Sequence, residues 1–450
     1  MKNPGQQAVT AVCSANCDES MRMSLKLGFF LKTVGKASPV LIFASAAVLL
    51  SSCAIKSGKQ TRYEIAPLYS AGSAQFRQAA GSVLGPSFVP GNNISTLVNG
   101  TRIFPAMLNA IRSAKHSIDF ETYVFWDGQI GREFTEALAE RARAGVHVNA
   151  ILDADGTRKM GRQNLAELRS AGVDVVKYHG MLWLDPRRYN NRTHRKLLIV
   201  DGRTAFIGGV GIADVWLGNA DSPKHYRDNH YKVTGPVVAQ LQASFVTSWL
   251  KARGTLLHGN DYFPPLEESG PYLAQGIRSS ARNENLDLMY ALAIASARKT
   301  LRIENPYFLP DELMRKELIA ASRRGVNVEI LVPGKHIDQQ LVRAASRRHW
   351  SELIQAGVRI YEYQPTMVHV KLMIVDGNFV SVGSGNFDDR SVRLNDEANL
   401  NVLDSDFAAQ QTHLFELDKG QSREITGQEI SGFHFDNPFQ QLAGFFSPQL

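Results

Sequence analysis

The sequence predicts an α/β protein made from one strand–helix unit used twice, with mixed, largely parallel sheets covered by helices. Two observations predict it. A short pattern occurs in two copies, THRKLLIVDG from Thr193 and VHVKLMIVDG from Val368. In each, a Lys follows a His by two residues, an apolar run separates the Lys from an Asp, and a Gly follows the Asp. The sets are His194, Lys196, Asp201 and His369, Lys371, Asp376. Around them the same order of elements recurs. SIDFETYVF, REFTEALAERARAGV and VHVNAIL read as strand, amphipathic helix and strand. TLRIENPYF, DELMRKELIAASRRGV and VNVEILV repeat that order. Gly325 follows Gly145 by 180 residues and His369 follows His194 by 175, so the whole unit is duplicated. Strands alternating with helices place a sheet under helical cover.

Each element has a local reason. In REFTEALAERARAGV the apolar Phe134, Ala137, Leu138 and Ala142 share one helical side, and Gly145 ends the helix. LLIV and LMIV are short apolar runs, each closed by Asp-Gly, which signals a hairpin turn. Ahead of the repeat, residues 1–52 read as a signal segment. Arg22, Lys26, Lys32 and Lys36 make a basic region, and residues 40–50 (VLIFASAAVLL) are an apolar run too short to span a bilayer. The run ends in LSSC, so Cys53 is the expected site of lipidation. Residues 53–95, polar with repeated Gly, Ser and Pro, read as a tether with little structure of its own. Residues 96–260 and 261–420 are the two repeat lobes, and 421–450 form a Phe-rich tail that either docks on the body or touches a bilayer.

Composition bounds the chemistry. At 450 residues, with 44% apolar and 21% charged side chains, the chain is an ordinary globular protein. A net charge of +7 favours an anionic partner, lipid surface or nucleic acid, without choosing between them. The cysteines are Cys13, Cys17 and Cys53, so the repeat can form neither an internal disulfide nor a thiolate metal site. Asp153, Asp155, Asp311 and Glu312 follow strands, where loop carboxylates are commonplace, and no His or Cys cluster accompanies them. Metal catalysis is not expected.

Residues two apart on a strand face the same way, so His194 projects with Lys196 and His369 with Lys371. An imidazole beside an ammonium seats a phosphate oxyanion: the Lys holds it, and the His attacks phosphorus or donates a proton. A lone His-x-Lys is usually a polar strand end. Two copies with the same run, turn and glycine-rich sequel are hard to dismiss.

These residues resemble the phospholipase D superfamily, whose signature is His-x-Lys-x4-Asp in two copies followed by Gly-Ser-x-Asn. Gly383, Ser384, Gly385 and Asn386 complete it in the second half; in the first, Gly208 and Gly209 match but Gly211 stands at the Asn position. The narrower likeness, through residues 120–128, 304–312 and 390–400, is to bacterial cardiolipin synthases. The resemblance implies two α/β/α lobes with the active site at their interface, and no cofactor or metal. It also implies phosphodiester transfer through a phosphohistidine on His194, with His369 as acid and base and Lys196, Lys371, Ser384 and Asn386 on the phosphoryl oxygens. Nothing in the sequence prevents exchanging the two His roles. The implied substrate is phosphatidylglycerol at a membrane surface, giving cardiolipin. The rivals are a phospholipase D using water, a nuclease, and an inactive scaffold. The expected location is the periplasmic side of a bacterial envelope; the oligomeric state stays open.

Asp201 and Asp376 belong to the signature, yet each sits in an Asp-Gly turn, where bonding its own backbone is a sufficient task. Seven residues of strand also put each roughly 23 Å from its His at roughly 3.3 Å per residue. The imidazoles are therefore expected to be oriented by Asp228 and Glu397, matched by aligning RDNHYKV with DEANLNV, 34 and 28 residues after His194 and His369. The loop before the first motif, with Arg187, Arg188, Arg192 and Arg195, is expected to attract anionic headgroups. The basic cluster at residues 345–350 is ambiguous.

Overall fold

The computed structural model describes residues 65–179, 191–281, 283–427 and 429. The leader with Cys13, Cys17 and Cys53, the loop residues Arg187 and Arg188, and the Phe-rich tail lie outside these. In the first half the strands are β1 (Val89–Val98), β2 (Ser117–Thr122), β3 (His147–Asp153), β4 (Asp174–Tyr178), β5 (Leu197–Val200), β6 (Thr204–Gly208) and β7 (Asn229–Thr234). In the second they are β8 (Tyr272–Ser279), β9 (Thr300–Glu304), β10 (Phe308–Leu309), β11 (Asn327–Pro333), β12 (Arg359–Tyr363), β13 (Leu372–Val375), β14 (Phe379–Gly383), β15 (Phe387–Asp388), β16 (Glu397–Leu403) and β17 (Ser422–Glu424).

All but β10 and β15 join one sheet in the order β17-β12-β11-β9-β13-β14-β16-β8-β1-β7-β6-β5-β2-β3-β4. Read outwards from β8 and β1, the two halves repeat one another. Parallel pairing in this sheet is confined to β2·β3, β3·β4, β9·β11 and β11·β12. The expectation of largely parallel sheets is therefore corrected. Each Asp-Gly turn closes a hairpin, β5–β6 or β13–β14, and hairpins make antiparallel neighbours.

Asp201 (φ 53°) with Gly202 (φ 61°), and Asp376 (φ 52°) with Gly377 (φ 60°), place two successive residues at positive φ, the geometry that favours Asp-Gly. The helix of the first half runs Gln129–Arg143 and that of the second Glu312–Arg323. Phe134, Ala137 and Leu138 are buried as the period requires. Asp311 caps the second helix by accepting from the Met314 N–H at 2.8 Å.

Three apolar layers hold the sheet. Each half has an outer core, and a third is shared: Leu197, Ile199 and Ile207 of the first half pack in one cluster with Leu372, Ile374 and Val382 of the second. The helices Val238–Arg253 and Ser405–Gly420 close this shared layer with Phe245, Trp249, Phe407 and Phe415.

The tether is shorter than the sequence reading made it. Ala74–Leu84 is a helix capped by Ser73, and Phe76, Ala80 and Leu84 bury its inner face against the second-half core. Phe76 meets Phe379 edge-on at 5.2 Å. β1 then enters the middle of the sheet, between β7 and β8. Glycine, serine and proline recur through this stretch and mask the apolar spacing of AQFRQAAGSVL.

Candidate active site

Both His-x-Lys segments sit just ahead of their strands, β5 and β13, and each pairs with a segment of the opposite half. Thr193 bridges Asp396, and Val368 bridges Arg227, both in parallel register. The His194 N–H donates to the Asp396 carbonyl at 2.9 Å, and the His369 N–H to the Arg227 carbonyl at 2.7 Å. The next residues along those partner segments are Glu397 and Asp228.

The carboxylates are consequently crossed. His194 Nδ1 donates to Glu397 Oε1 at 2.8 Å, and His369 Nδ1 to Asp228 Oδ2 at 2.9 Å. The sequence alignment picks both carboxylates. The interval counting, which measures each from the His of its own half, pairs them the wrong way round. With Nδ1 occupied, Nε2 of each imidazole carries the reactive lone pair or proton. All four side chains are buried.

Each Lys turns back on its own His. Lys196 Nζ donates to the His194 carbonyl and Lys371 Nζ to the His369 carbonyl, both at 2.7 Å. Lys371 Nζ also lies 2.9 and 3.1 Å from the two ring nitrogens of His369. Burial lowers Lys196 to about 7 and Lys371 to about 8. Burial also lowers His194 to about 4, against the pull of Glu397. His369 is held well below its ordinary value by burial, then by Lys371, Lys196 and His194. Both imidazoles are thus neutral near pH 7, and the two lysines, Lys371 largely and Lys196 partly protonated there, stand within electrostatic reach of both.

The two carboxylates differ. Burial pushes Glu397 up, but His194, Lys196 and the Ser384 hydroxyl outweigh it, so Glu397 ends below the usual carboxylate range. Asp228 is raised by burial to about 6, against Lys371 and the Asn229 N–H. Ser384 Oγ donates to Glu397 Oε2 at 2.5 Å and Ser391 Oγ to Oε1 at 2.7 Å. Asp228 instead accepts from Trp216 Nε1 at 3.1 Å and the Asn229 N–H at 2.9 Å. Ser384 was expected on the phosphate; its hydroxyl is committed to Glu397. Asn386 is buried, and its side-chain oxygen has no hydrogen-bond partner among the described residues; a phosphoryl oxygen would be held by its amide N–H rather than by that oxygen. At Gly211 no side chain fits, because a Cβ would come 2.6 Å from Val124 Cβ.

Asp201 and Asp376 lie at the far ends of the motif strands. The Asp201 carboxylate accepts from the N–H groups of Lys115, His116 and Ser117, and Asp376 from those of Arg298, Lys299 and Thr300. Each therefore fixes the start of the neighbouring strand, β2 or β9, rather than only its own turn.

Of the basic loop, Arg195 is buried and does not face a headgroup. It donates to the carbonyls of Glu397, Ser244 and Ser279 and to the Ser248 hydroxyl, tying the halves together. Arg192 pairs with Asp155 and donates to the Tyr123 hydroxyl at 2.9 Å. Asp153 accepts from the N–H groups of Asp155, Gly156 and Thr193. In the 345–350 cluster, Trp350 is buried and Arg347 stacks 5.4 Å from its ring, a packing role.

Sequence reasoning missed Ser391, Trp216 and the tyrosines near the imidazoles. A signal existed for the first two: the 175-residue offset sets Ser391 opposite Trp216 and Ser384 opposite Gly209.

Two buried His–Lys pairs facing one another across a duplicated α/β sheet are the arrangement that the superfamily resemblance implies. A sequence model of the family described as "Cardiolipin synthase, PLD-like domain" matches residues 107–244 and 290–419. The chain is similar to cardiolipin synthase A of Pseudomonas fluorescens, 36% identical over 351 residues, covering 76% of this chain and 72% of that protein. It is similar to a probable cardiolipin synthase of Bacillus subtilis, 34% identical over 339 residues, covering 74% and 67%. A phosphatidylserine synthase of Haemophilus influenzae shares the fold, with a TM-score of 0.65 over 83% of this chain and 97% of that one, at 15% identity. The chain belongs to the cardiolipin synthase family of phospholipase D-like proteins.

Proposed function

We propose that this protein transfers phosphatidyl groups, converting two molecules of phosphatidylglycerol into one cardiolipin and one glycerol. Support comes above all from the crossed pairing: two imidazoles, each backed by a carboxylate of the opposite half, beside two ammoniums that suit one phosphodiester. His194 Nε2 attacks phosphorus, and the P–O bond to the headgroup glycerol breaks as His369 gives its proton to the leaving oxygen. The second phosphatidylglycerol then gives a hydroxyl proton to His369 and attacks phosphorus, and the P–N bond breaks.

The asymmetry of the carboxylates favours this division of labour. Phosphorylated His194 carries a positive charge, and Glu397, held anionic, stabilises it. His369 must carry a proton for the first step. A bound phosphodiester offsets the repulsion from Lys371 and Lys196, so His369 takes up its proton as substrate enters. Lys196, Lys371 and Asn386 steady the phosphoryl oxygens as charge builds.

The LSSC sequence ending at Cys53 supports a lipid anchor on the periplasmic side of a bacterial envelope, which would hold the site at its substrate surface. Lipid chromatography of phosphatidylglycerol vesicles incubated with the protein tests the reaction. Cardiolipin that is suppressed by added glycerol is expected, because one phosphodiester replaces another. Phosphatidic acid as the sole product would make the protein a phospholipase, and DNA cleavage without lipid turnover would make it a nuclease.

A further inference from the structure

The mouth of the site is unevenly walled. The loops after β2 and β3 flank His194: the Tyr123 ring lies 5.2 Å from the imidazole, and Asp153 accepts from the Thr193 N–H at 3.1 Å. Further along these loops the Trp126 indole N–H donates to the Gly156 carbonyl at 3.0 Å, and the Lys159 ammonium stands 4.1 Å from the centre of its ring. Tyr123, Trp126 and Met160 are half-buried and rest on the outer core of the first half. Arg158, Lys159 and Arg162 are exposed beside them. Asp155 pairs with Arg158 and Arg192, and Asp127 lies 3.9 Å from Arg132, so the acids of these loops are matched within the fold. The equivalent loops after β9 and β11 carry Lys335 against Asp311 and Asp338. The excess of cations belongs to the first half alone.

The described chain begins at the opposite end of the strands. Arg298 donates to the carbonyls of Pro67 and Tyr69, and its N–H donates to Asp376, at the far end of β13 from His369. Twelve residues separate Cys53 from Ile65, at most about 40 Å of chain. A lipid on Cys53 would keep the body close to a bilayer without turning the mouth towards it. We propose that Trp126, Lys159, Met160 and Arg162 form the edge that seats on an anionic phospholipid surface and turns the mouth to its headgroups. The inference rests on a phospholipid being the substrate, and it suits a reaction whose donor and acceptor are both anionic lipids. The amphipathic Trp126 ring and the Met160 thioether enter the headgroup layer, a depth at which Trp is favoured. Lys159 and Arg162 meet the negative charge of that layer.

The test compares two physical forms of one substrate. Full-length protein is given phosphatidylglycerol either as vesicles or as a short-chain form below its micelle concentration, and glycerol release is read. Glycerol leaves in transfer and in hydrolysis alike, so the readout does not depend on the acceptor. The ratio of vesicle rate to monomer rate is independent of how much protein is folded. Lys159→Glu combined with Arg162→Glu is expected to lower this ratio about thirtyfold, because each basic side chain at an anionic surface contributes about fivefold. Added salt should narrow the gap to the unmodified protein by screening the surface. Trp126→Ala is expected to lower the ratio as well, with a loss that salt does not remove. A ratio unchanged in both variants overturns the docking edge, whether the two rates stay level or fall together. Failure of the unmodified protein to release glycerol from either form would instead remove the lipid reading on which the inference rests.

Discussion

His194 and His369 are held by networks of the same shape built from different atoms. Behind His194 stand a glutamate and two serine hydroxyls, Ser384 and Ser391. Behind His369 stand an aspartate, a backbone N–H and the Trp216 indole. Trp216 occupies the position of Ser391, and Gly209 that of Ser384. Gly209 is required there: a Cβ would lie 2.6 Å from both Asp228 oxygens and 2.8 Å from the His369 carbonyl. Duplication thus preserved the backbone that crosses the halves, while the donors behind each carboxylate diverged. His194, Lys196 and the Ser384 hydroxyl hold Glu397 below the usual carboxylate range, while burial of Asp228 outweighs Lys371, the Asn229 N–H and Trp216 and leaves it near 6. A symmetric fold in this way supports two unlike acid–base roles.

The comparison can be sharpened by breaking one side at a time. The largest effect is expected at the carboxylates. Glu397→Gln and Asp228→Asn should each lower kcat on the order of 10³–10⁴-fold with the fold intact, the scale of losing an orienting carboxylate behind a catalytic His. Steady-state rates and circular dichroism of the purified variants check this.

A smaller effect is expected from pH. Below about 6, Asp228 gains a proton and stops supporting a charged His369; above about 7 to 8, Lys196 and Lys371 lose theirs and the phosphate seat weakens. A profile of kcat/KM, which reports the free enzyme, should therefore be bell-shaped between these limits. In the residual activity of Asp228→Asn the acid limb should disappear, while in Glu397→Gln it should remain.

The smallest effect is expected at the turns, where the halves are alike. Asn tolerates the positive φ of Asp376, so Asp376→Asn isolates the loss of a charged acceptor for three N–H groups. A cost of about 1–3 kcal/mol in denaturant unfolding is expected, matched by Asp201→Asn. A large difference between the two would show that the turns are not equivalent.

Much of this architecture was legible because duplication writes its landmarks twice. The Asp-Gly turns and the helix ends at Gly145 and Gly325 follow from spacing, and the equivalence of Glu397 with Asp228 from the alignment of DEANLNV with RDNHYKV. The crossing does not. Interval counting assumes that a carboxylate serves the His of its own half, and only the bridges Thr193–Asp396 and Arg227–Val368 reveal the exchange. Arg195 misleads for a related reason: between His194 and Lys196 it alternates to the opposite face, into the contact between halves. The antiparallel bias of the sheet was implied by the two hairpins but outweighed in the reading by the alternation of strands and helices. Helix Ala74–Leu84 is intelligible only with the second-half core against which Phe76 packs.

The central claim is that Glu397 serves the nucleophile His194 and Asp228 serves the acid His369, each across the halves. A phosphatidyl donor whose leaving group is p-nitrophenolate needs no proton to depart, so the acid becomes dispensable in the first step. The measurement is the burst of nitrophenolate release on mixing such a donor with each variant. Asp228→Asn should recover most of the unmodified burst rate, and Glu397→Gln should stay slow because its nucleophile is still disabled. Recovery in Glu397→Gln with a persistent defect in Asp228→Asn would contradict the assignment and exchange the roles of the two histidines.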